Sequence, residues 1–235
     1  MKSKIYIGRD QKNDKVFLDL NKEKIYSILL AGLSGSGKSI FHFSLYHQLL
    51  QQNTPVELGF VFFDMTKVDF AKFPYPAYLY KPIIKSLDEA LDCFEELGKE
   101  SKLRCQGKVD RRRSILIHIE ECDLMYYDRK RFEQAWIDIA SGKDKNNIYV
   151  VFSSSRCCPE VFTRTILNNV DLKILFSPGG SGFDKSLYDE CSLYLFSKRF
   201  KNTPREWQRV LMTDQREILC QGYSEEEVKE VKSIF

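Results

Sequence analysis

The sequence predicts an α/β protein in which a mainly parallel central sheet carries helices on both faces. Three observations indicate this fold class. Short runs of strand length alternate with longer helical patterns, the short runs are apolar almost throughout, and a glycine-rich turn joins one of them directly to a helix. Alternating strands and helices are typical of parallel sheets covered on both sides. Strands that are buried on both faces also lack the polar half of the usual alternation.

We predict that these elements follow one another along a single domain of 235 residues. A small hairpin is predicted over residues 5–20, with its turn at Asn13-Asp14. The last helical pattern opens with a capping box, Ser224-x-x-Glu227. We therefore expect an N-terminal hairpin within residues 1–22 and a core with a closing helix over 23–235. Strands are predicted at 27–31, 58–64, 114–119, 148–153 and 172–176, and helices at 39–51, 86–103, 130–141, 159–169 and 224–235.

Composition and charge limit the class of protein. Hydrophobic residues make up 43% of the chain and charged residues 29%, which is typical of a folded globular protein. The net charge of +3 permits a polyanionic partner but is too small for binding by charge alone. No apolar stretch is long enough to cross a bilayer and no signal peptide is recognisable, so we expect a cytoplasmic protein without direct membrane insertion. The seven cysteines include no Cys-x-x-Cys pair, so we expect free thiols and no cysteine metal site.

The glycine-rich turn fits the pattern of a phosphate-binding loop. The motif Gly32-x-x-x-x-Gly37-Lys38-Ser39 lies between a predicted strand and a predicted helix, as this motif requires. Glycines let backbone N–H groups point at phosphates, the lysine brings a positive charge, and the serine hydroxyl is a ligand for Mg²⁺. We predict ATP and Mg²⁺ as cofactors. The predicted nucleotide-binding residues are Gly32, Leu33, Ser34, Gly35, Ser36, Gly37, Lys38, Ser39 and Ile40.

Two carboxylates follow the apolar run at 114–119. Glu120 is predicted to hold the metal together with Ser39, and Glu121 to orient the attacking water. Aspartate is more usual at the metal position, because the magnesium shell is close-fitting. The alternative is that both glutamates are solvent-facing acids that open the next loop. His118 lies inside the same run and is predicted to be a buried, hydrogen-bonded core residue.

A third polar cluster, Ser153-Ser154-Ser155-Arg156, closes the next predicted strand. In this fold class such a strand end lies beside the γ-phosphate and can sense it. By residue type alone, a serine-rich strand end is an ordinary turn. The functional interpretation therefore needs support from other segments of the chain.

Several segments in the same order resemble the FtsK/SpoIIIE family of DNA motors, within the FtsK–HerA group of P-loop ATPases. They are Ile7-Gly8-Arg9-Asp10 with its hairpin, the phosphate loop, residues 63–70, residues 153–176 and residues 221–228. The resemblance covers nearly the whole chain. It implies a RecA-like fold, ATP hydrolysis, homo-oligomeric rings that are commonly hexamers, and translocation of double-stranded DNA. The catalytic residues that it implies are Lys38, Glu120, Glu121, Ser155 and Arg156.

The chain also departs from the family pattern. The acidic pair of the family falls on Glu120-Glu121 only with a one-residue gap; without the gap, Ile119 takes the first acidic position. Ser155 stands where the family has a glutamine, and no arginine stands near residues 184–186, where the family supplies one across the ring interface. The segment 104–113 is short where the DNA motors carry a long insertion, and neither a membrane anchor nor a DNA-reading winged helix is recognisable.

These departures leave two alternatives open. The run Glu120-Glu121-Cys122-Asp123-Leu124 is similar to a motif of the type VII secretion motors, which implies a module that moves or recognises protein, with a membrane-anchored or secretion-apparatus partner. A degenerate subunit that binds nucleotide with little hydrolysis is the second alternative. The densest basic cluster, Lys108 with residues 111–113, would contact DNA in a ring channel or would be a solvated loop.

Overall fold

The computed structural model describes residues 1–32, 34–67, 70, 73–155, 163–176, 207–212, 217–221 and 223–233. Within these ranges the chain forms one nine-stranded sheet with helices packed on it. The strands are β1 (Lys4–Arg9), β2 (Lys15–Asp19), β3 (Ser27–Ala31), β4 (Leu58–Phe63), β5 (Ser114–Ile119), β6 (Ile148–Ser154), β7 (Leu172–Phe176), β8 (Trp207–Met212) and β9 (Glu217–Gln221). The helices are α1 (Lys38–Gln52), α2 (Leu87–Cys105), α3 (Arg129–Ala140), α4 (Lys143–Asn146), α5 (Arg164–Asn169) and α6 (Glu225–Lys232), with short 3₁₀ helices at Pro76–Tyr78 and Cys122–Asp128.

Five strands form the parallel centre of the sheet. Their order is β4-β5-β6-β3-β7, and every neighbouring pair is parallel. Beyond β7 the sheet continues through β8, β9, β1 and β2, which pair antiparallel. The predicted fold class, a mainly parallel sheet of the RecA-like type, is confirmed. The antiparallel strands β8 and β9 were not predicted.

The two faces of the central strands carry separate apolar layers, because side chains alternate along each strand. Leu29 and Ile117 point to the face that is covered by α2 and α3, where they pack with residues such as Trp136. Leu30 and Leu116 point to the opposite face, which is covered by α1. Helices therefore lie on both faces of the sheet, as the continuous apolar runs predict.

The predicted boundaries agree closely with the observed ones where the residues are described. The runs predicted as 27–31, 114–119 and 172–176 are strands with those bounds. The helix predicted at 159–169 is observed from Arg164, because Thr163 caps it by accepting a hydrogen bond from Ile166 N; residues 159–162 lie outside the described ranges. The closing helix ends at Lys232, three residues before the predicted end, and residues 234–235 are not described.

The basic cluster of residues 108–113 precedes the amino end of β5, on the opposite edge of the sheet from the phosphate loop. Arg111 donates to the Lys145 carbonyl at 2.8 Å, and Arg112 pairs with Asp110 at 2.8 Å. The guanidinium of Arg113 lies 5.6 Å from the ring centroid of Tyr80. These contacts hold the loop at the edge of the sheet. In the described part of the chain, no helix is long and apolar enough to span a bilayer.

A buried polar network joins α2, α4 and β6. The side chain of Asn146 donates to Ser101 Oγ and to the Ile139 carbonyl, both at 2.8 Å, and accepts from Ile148 N at 2.9 Å. The buried Arg104 donates to the Asn146 carbonyl at 3.3 Å. Buried polar groups need hydrogen-bond partners. The side chain of Asn146 is the partner of three of them: the Ser101 hydroxyl, the Ile139 carbonyl and the Ile148 N–H.

We predict that Asn146→Ala lowers the free energy of unfolding by about 2–3 kcal/mol, because it leaves buried donors and acceptors without partners. Urea denaturation measures the change. The matched control is Asn168→Ala, at an exposed position of α5, where we expect a change below about 0.5 kcal/mol. Equal effects of the two substitutions would contradict the role given to the network.

Candidate functional site

The carboxyl ends of three strands meet at one edge of the sheet. β6 lies between β3 and β5, and its register pairs Ser154 with Ala31 on one side and Phe152 with Ile119 on the other. The phosphate loop follows β3, the two glutamates follow β5, and Ser155 follows β6. Because parallel strands end at the same edge, residues that are far apart in sequence lie together there.

The phosphate loop is held in place by its backbone. Gly32 N donates to the Ser154 carbonyl at 3.4 Å. A Cβ added at Gly32 would lie 2.8 Å from Phe176 Cβ, closer than real side chains approach. Gly35 and Gly37 have φ angles of 76° and 103°, in the left-handed region that glycine adopts without strain. Glycine is therefore required here for both space and backbone conformation.

Lys38 begins α1 and is only 6% exposed. Its Nζ donates to the Gly32 carbonyl at 2.6 Å, so the ammonium group lies against the loop itself. Ser39 and Ile40 occupy the first turn of α1, where backbone N–H groups point toward the loop. Of the other predicted loop residues, Ser34 and Gly35 are exposed and Ser36 is half-buried, whereas Leu33 lies outside the described ranges.

Glu121 connects the end of β5 to the end of β6. Its Oε2 accepts from both the backbone N–H and the hydroxyl of Ser155, each at 2.9 Å. The backbone of Glu121 has φ 45° and ψ 58°, which is unusual for a residue with a side chain and is frequent at functional sites. The structure therefore brings together two of the residues that were predicted as catalytic. Arg156, which follows Ser155 and was also predicted as catalytic, lies outside the described ranges.

Glu120 points to the α1 face of the sheet and is 5% exposed. Its Oε2 is 2.7 Å from His118 Nε2 and 3.8 Å from His42 Nδ1. His118 Nδ1 is in turn 2.5 Å from the hydroxyl of Tyr46. His118 is fully buried and hydrogen-bonded, as predicted. Ile119 belongs to the apolar layer on the opposite face, so Glu120 is the acidic side chain of β5 that faces α1.

The charges of this cluster follow from burial and from its contacts. Burial alone would raise the pKa of Glu120. Its hydrogen bond with His118 is the largest cause that acts in the opposite direction, and the net effect holds the pKa of that carboxyl well below its usual range. Burial is the main reason that the pKa of His42 lies well below its ordinary value. Glu120 is therefore ionised and His42 is neutral at neutral pH.

Sequence reasoning missed His42 and Tyr46. Both lie on the face of α1 that begins with Lys38, because residues four apart share one face of a helix. His118 and Glu120 share one face of β5 for the corresponding reason in a strand. The spacing 38, 42 and 46 was visible in the sequence, but nothing in it indicated that this helix face packs on the carboxylate.

Asp64 is the first residue after β4 and is fully buried. Its carboxylate accepts from Thr66 Oγ1 and from Phe70 N, both at 3.0 Å. These bonds hold the turn after β4, which belongs to the family-like segment 63–70. In this structure Asp64 therefore has a structural role next to the site.

Known proteins resemble this chain in sequence. A sequence model of the FtsK/SpoIIIE family matches residues 1–133, more than half of the chain. The DNA translocase FtsK of Leptospira interrogans serogroup Icterohaemorrhagiae serovar copenhageni (strain Fiocruz L1-130) is 26% identical over an alignment of 210 residues that covers 79% of this chain and 22% of that protein. The DNA translocase FtsK of Helicobacter pylori (strain J99 / ATCC 700824) is 24% identical over an alignment of 203 residues that covers 78% of this chain and 24% of that protein. The chain thus spans about a quarter of the length of these relatives.

Solved structures share the fold. The pCW3 conjugation coupling protein TcpA, in a monomer form with ATPγS, matches 100% of this chain and 71% of its own length, with a TM-score of 0.72 and 20% identity. The cytoplasmic domain of the type VII secretion ATPase EccC of Thermomonospora curvata matches 99% of this chain and 31% of its own, with a TM-score of 0.69 and 15% identity. The genome packaging NTPase B204 from Sulfolobus turreted icosahedral virus 2 matches 85% of this chain and 98% of its own, with a TM-score of 0.57 and 14% identity. At these identities the likeness shows the fold alone. The family match, with the phosphate loop in its strand–loop–helix setting, establishes that the chain belongs to the FtsK/SpoIIIE family of P-loop ATPases.

Proposed function

We propose that this chain binds ATP at the loop of residues 32–39 and hydrolyses it to move double-stranded DNA. The observation that carries the proposal is the hydrogen-bonded pair of Glu121 and Ser155, fixed at the same sheet edge as the loop and Lys38. A carboxylate held beside a phosphate loop is the arrangement that orients water toward a γ-phosphate.

The loop fits a triphosphate. Gly35 and Gly37 already have the left-handed backbone that turns N–H groups inward, and Gly32 leaves no space for a side chain. The buried hydroxyl oxygen of Ser36 has no hydrogen-bond partner within the described residues, which suits a loop that closes on an anion. We assign the phosphates to the N–H groups of residues 32–40 and to the ammonium group of Lys38.

Ser39 and Glu120 are the residues that we assign to Mg²⁺. Both are oxygen donors at the correct edge of the sheet, and the low pKa of the Glu120 carboxyl keeps it ionised. When bound with ATP, Mg²⁺ would neutralise charge on the phosphate oxygens. Glu120 is held at this edge by its hydrogen bond with His118.

The chain's own residues would then act mainly by position. Ser155 bonds to Oε2 of Glu121, and we assign Oε1 of the same carboxylate to the attacking water. Lys38 would neutralise charge that develops on the γ-phosphate. Ser155 and Arg156 would report the state of that phosphate to a neighbouring subunit. Holding water and phosphate in line removes most of the entropic cost of the reaction.

The DNA substrate, the ring and the location rest on other grounds. Relatives named DNA translocases support the substrate, although the chain spans about a quarter of their length. A homo-oligomeric ring, commonly a hexamer in this family, would complete each site at a subunit interface. We propose a cytoplasmic location, where thiols such as the four described free cysteines stay reduced.

A second candidate is a protein-translocating module like the type VII secretion ATPases. The run Glu120-Glu121-Cys122-Asp123-Leu124, which is similar to a motif of those ATPases, favours it, and so does the short segment 104–113 before β5. A partner of this module would be a secreted protein or a membrane-anchored apparatus. Binding of a secreted-protein tail without any binding of duplex DNA would select this candidate.

The proposal is tested by calorimetry with Mg-ATP and by ATPase assays with and without duplex DNA at low salt. We expect Lys38→Ala to abolish the heat of binding. We expect Glu121→Gln to retain binding and to lower turnover by about 10²–10⁴-fold, the usual contribution of a positioned base. If duplex DNA did not stimulate the ATPase activity of the wild type, the DNA-motor proposal would be wrong. If the wild type bound Mg-ATP but did not hydrolyse it, the chain would be a degenerate subunit.

A second prediction concerns Gly32. Gly32→Ala should weaken Mg-ATP binding on the order of tenfold or more, because the added Cβ collides with Phe176 and overpacking costs about 1–3 kcal/mol. Gly107→Ala is the control: Gly107 has φ 69° and lies away from the loop. The control should lose about 1–2 kcal/mol of stability with unchanged affinity for Mg-ATP. Equal affinity of both variants would refute the role of Gly32.

A third prediction concerns Ser155. Ser155→Ala removes one of the two bonds to Glu121, so turnover should fall roughly two- to tenfold while the affinity for Mg-ATP stays unchanged. Ser155→Thr keeps a hydroxyl and should restore most of the loss. If Ser155→Ala changed only the affinity, Ser155 would have no role in positioning Glu121.

A further inference from the structure

Two of the three histidines in the sequence meet at one carboxylate inside the protein. His42 on α1 and His118 on β5 are fully buried, and both approach Glu120. One ligand atom from each of the three residues lies within 4.8 Å of the others. The third histidine, His47, lies on α1 and contacts Gln51 at an exposed position. The proposed ATP site uses Glu120 but assigns no ligand role to the two histidines.

The ligand set points to a particular class of ion. Two imidazole nitrogens with one carboxylate oxygen suit zinc and similar transition metals, whereas magnesium prefers oxygen ligands alone. We propose that His42, His118 and Glu120 form a binding site for one divalent transition-metal ion of the zinc type. The site is separate in chemistry from the Mg²⁺ that would accompany the nucleotide, although the two share Glu120.

Two of the three distances between ligand atoms can be compared with a tetrahedral site, and the third, between the two histidine nitrogens, is at most 4.8 Å. Bonds of about 2.1 Å at tetrahedral angles separate two ligand atoms by about 3.4 Å. The His118 Nε2–Glu120 Oε2 distance is 2.7 Å and the His42 Nδ1–Glu120 Oε2 distance is 3.8 Å. An ion would therefore open one pair and close the other by a few tenths of an ångström to about 0.7 Å.

Tyr46 gives the site an outer partner. In the tautomer whose Nε2–H donates to the carboxylate of Glu120, Nδ1 of His118 accepts from the hydroxyl of Tyr46. Metal binding at Nε2 moves that proton to Nδ1, which then donates to the tyrosine oxygen, and no proton is lost from the pair. Such partners fix the orientation of a metal-binding histidine and strengthen its bond.

The shared carboxylate has a consequence for the proposed function. An ion on the two histidines would hold Glu120 away from the magnesium position, so zinc would inhibit ATP hydrolysis and a chelator would restore it. This consequence rests on the proposed role of Glu120, whereas the site itself does not.

The site is tested with Co²⁺ on the full chain without nucleotide, because Co²⁺ in a tetrahedral site has a strong visible absorption. We expect one Co²⁺ per chain without the near-ultraviolet band of thiolate ligands. His42→Gln and His118→Gln should raise the dissociation constant at least about tenfold, and Tyr46→Phe by about 10–100-fold. His47→Ala, on the exposed side of the same helix, should leave it unchanged. Circular dichroism checks that each variant is folded, and thermal stabilisation of the wild type by Zn²⁺ gives a readout that needs no variant.

Three results would overturn the site: wild-type absorption equal to that of hydrated Co²⁺, a thiolate band that replaces the visible one, or loss of binding in His47→Ala. Calorimetry of the metal-free protein with Mg-ATP keeps the two proposals apart. Binding of Co²⁺ without binding of Mg-ATP would refute the proposed function alone. Binding of Mg-ATP without binding of Co²⁺ would refute the metal site alone.

Discussion

The parallel pairing of β6 between β3 and β5 is the constraint on which the rest of the site depends. It sets Ser154 beside Ala31 and Phe152 beside Ile119, so that the loop after β3 and the glutamates after β5 end at one edge. β6 also supplies contacts in both directions. The Ser154 carbonyl accepts from Gly32, and Ser155 bonds to Glu121. One strand therefore couples the phosphate loop to the carboxylate that would orient water.

Burial gives the two glutamates different properties although they are adjacent. Glu120 lies on the α1 face among histidines, and its charge is stabilised by them against the cost of burial. Glu121 follows with a left-handed backbone, which turns its side chain toward Ser155. The unusual backbone of Glu121 thus separates a buried carboxylate from one that reaches the edge of the site. An aspartate in place of Glu120 would have a side chain one methylene group shorter, and its carboxylate would contact His42 and His118 differently.

Family membership and substrate are separate questions for this chain. The phosphate loop, the sheet order and the match over residues 1–133 belong to the ATPase core. Proteins of conjugation, of type VII secretion and of genome packaging share that core at 14–20% identity. The same core is thus found in proteins with different cargo, because ATP chemistry is carried by the strand ends and cargo by other surfaces. In this chain, the basic loop at 108–113 lies at the opposite edge of the sheet from the carboxyl ends of the parallel strands.

The sequence by itself determined the central strands, the helices on both faces, the phosphate loop and the two carboxylates that follow β5. Continuous apolar runs and a glycine motif depend on local conformation and burial, which the residue types reveal directly. The tertiary structure decided the contacts between segments: Ser155 with Glu121, and the meeting of His42, Tyr46 and His118 at Glu120. It also decided the antiparallel strands β8 and β9, whose residues become strands by pairing with β7 and β1. These features depend on which side chains face each other across the sheet, and a single sequence carries no direct record of such pairings.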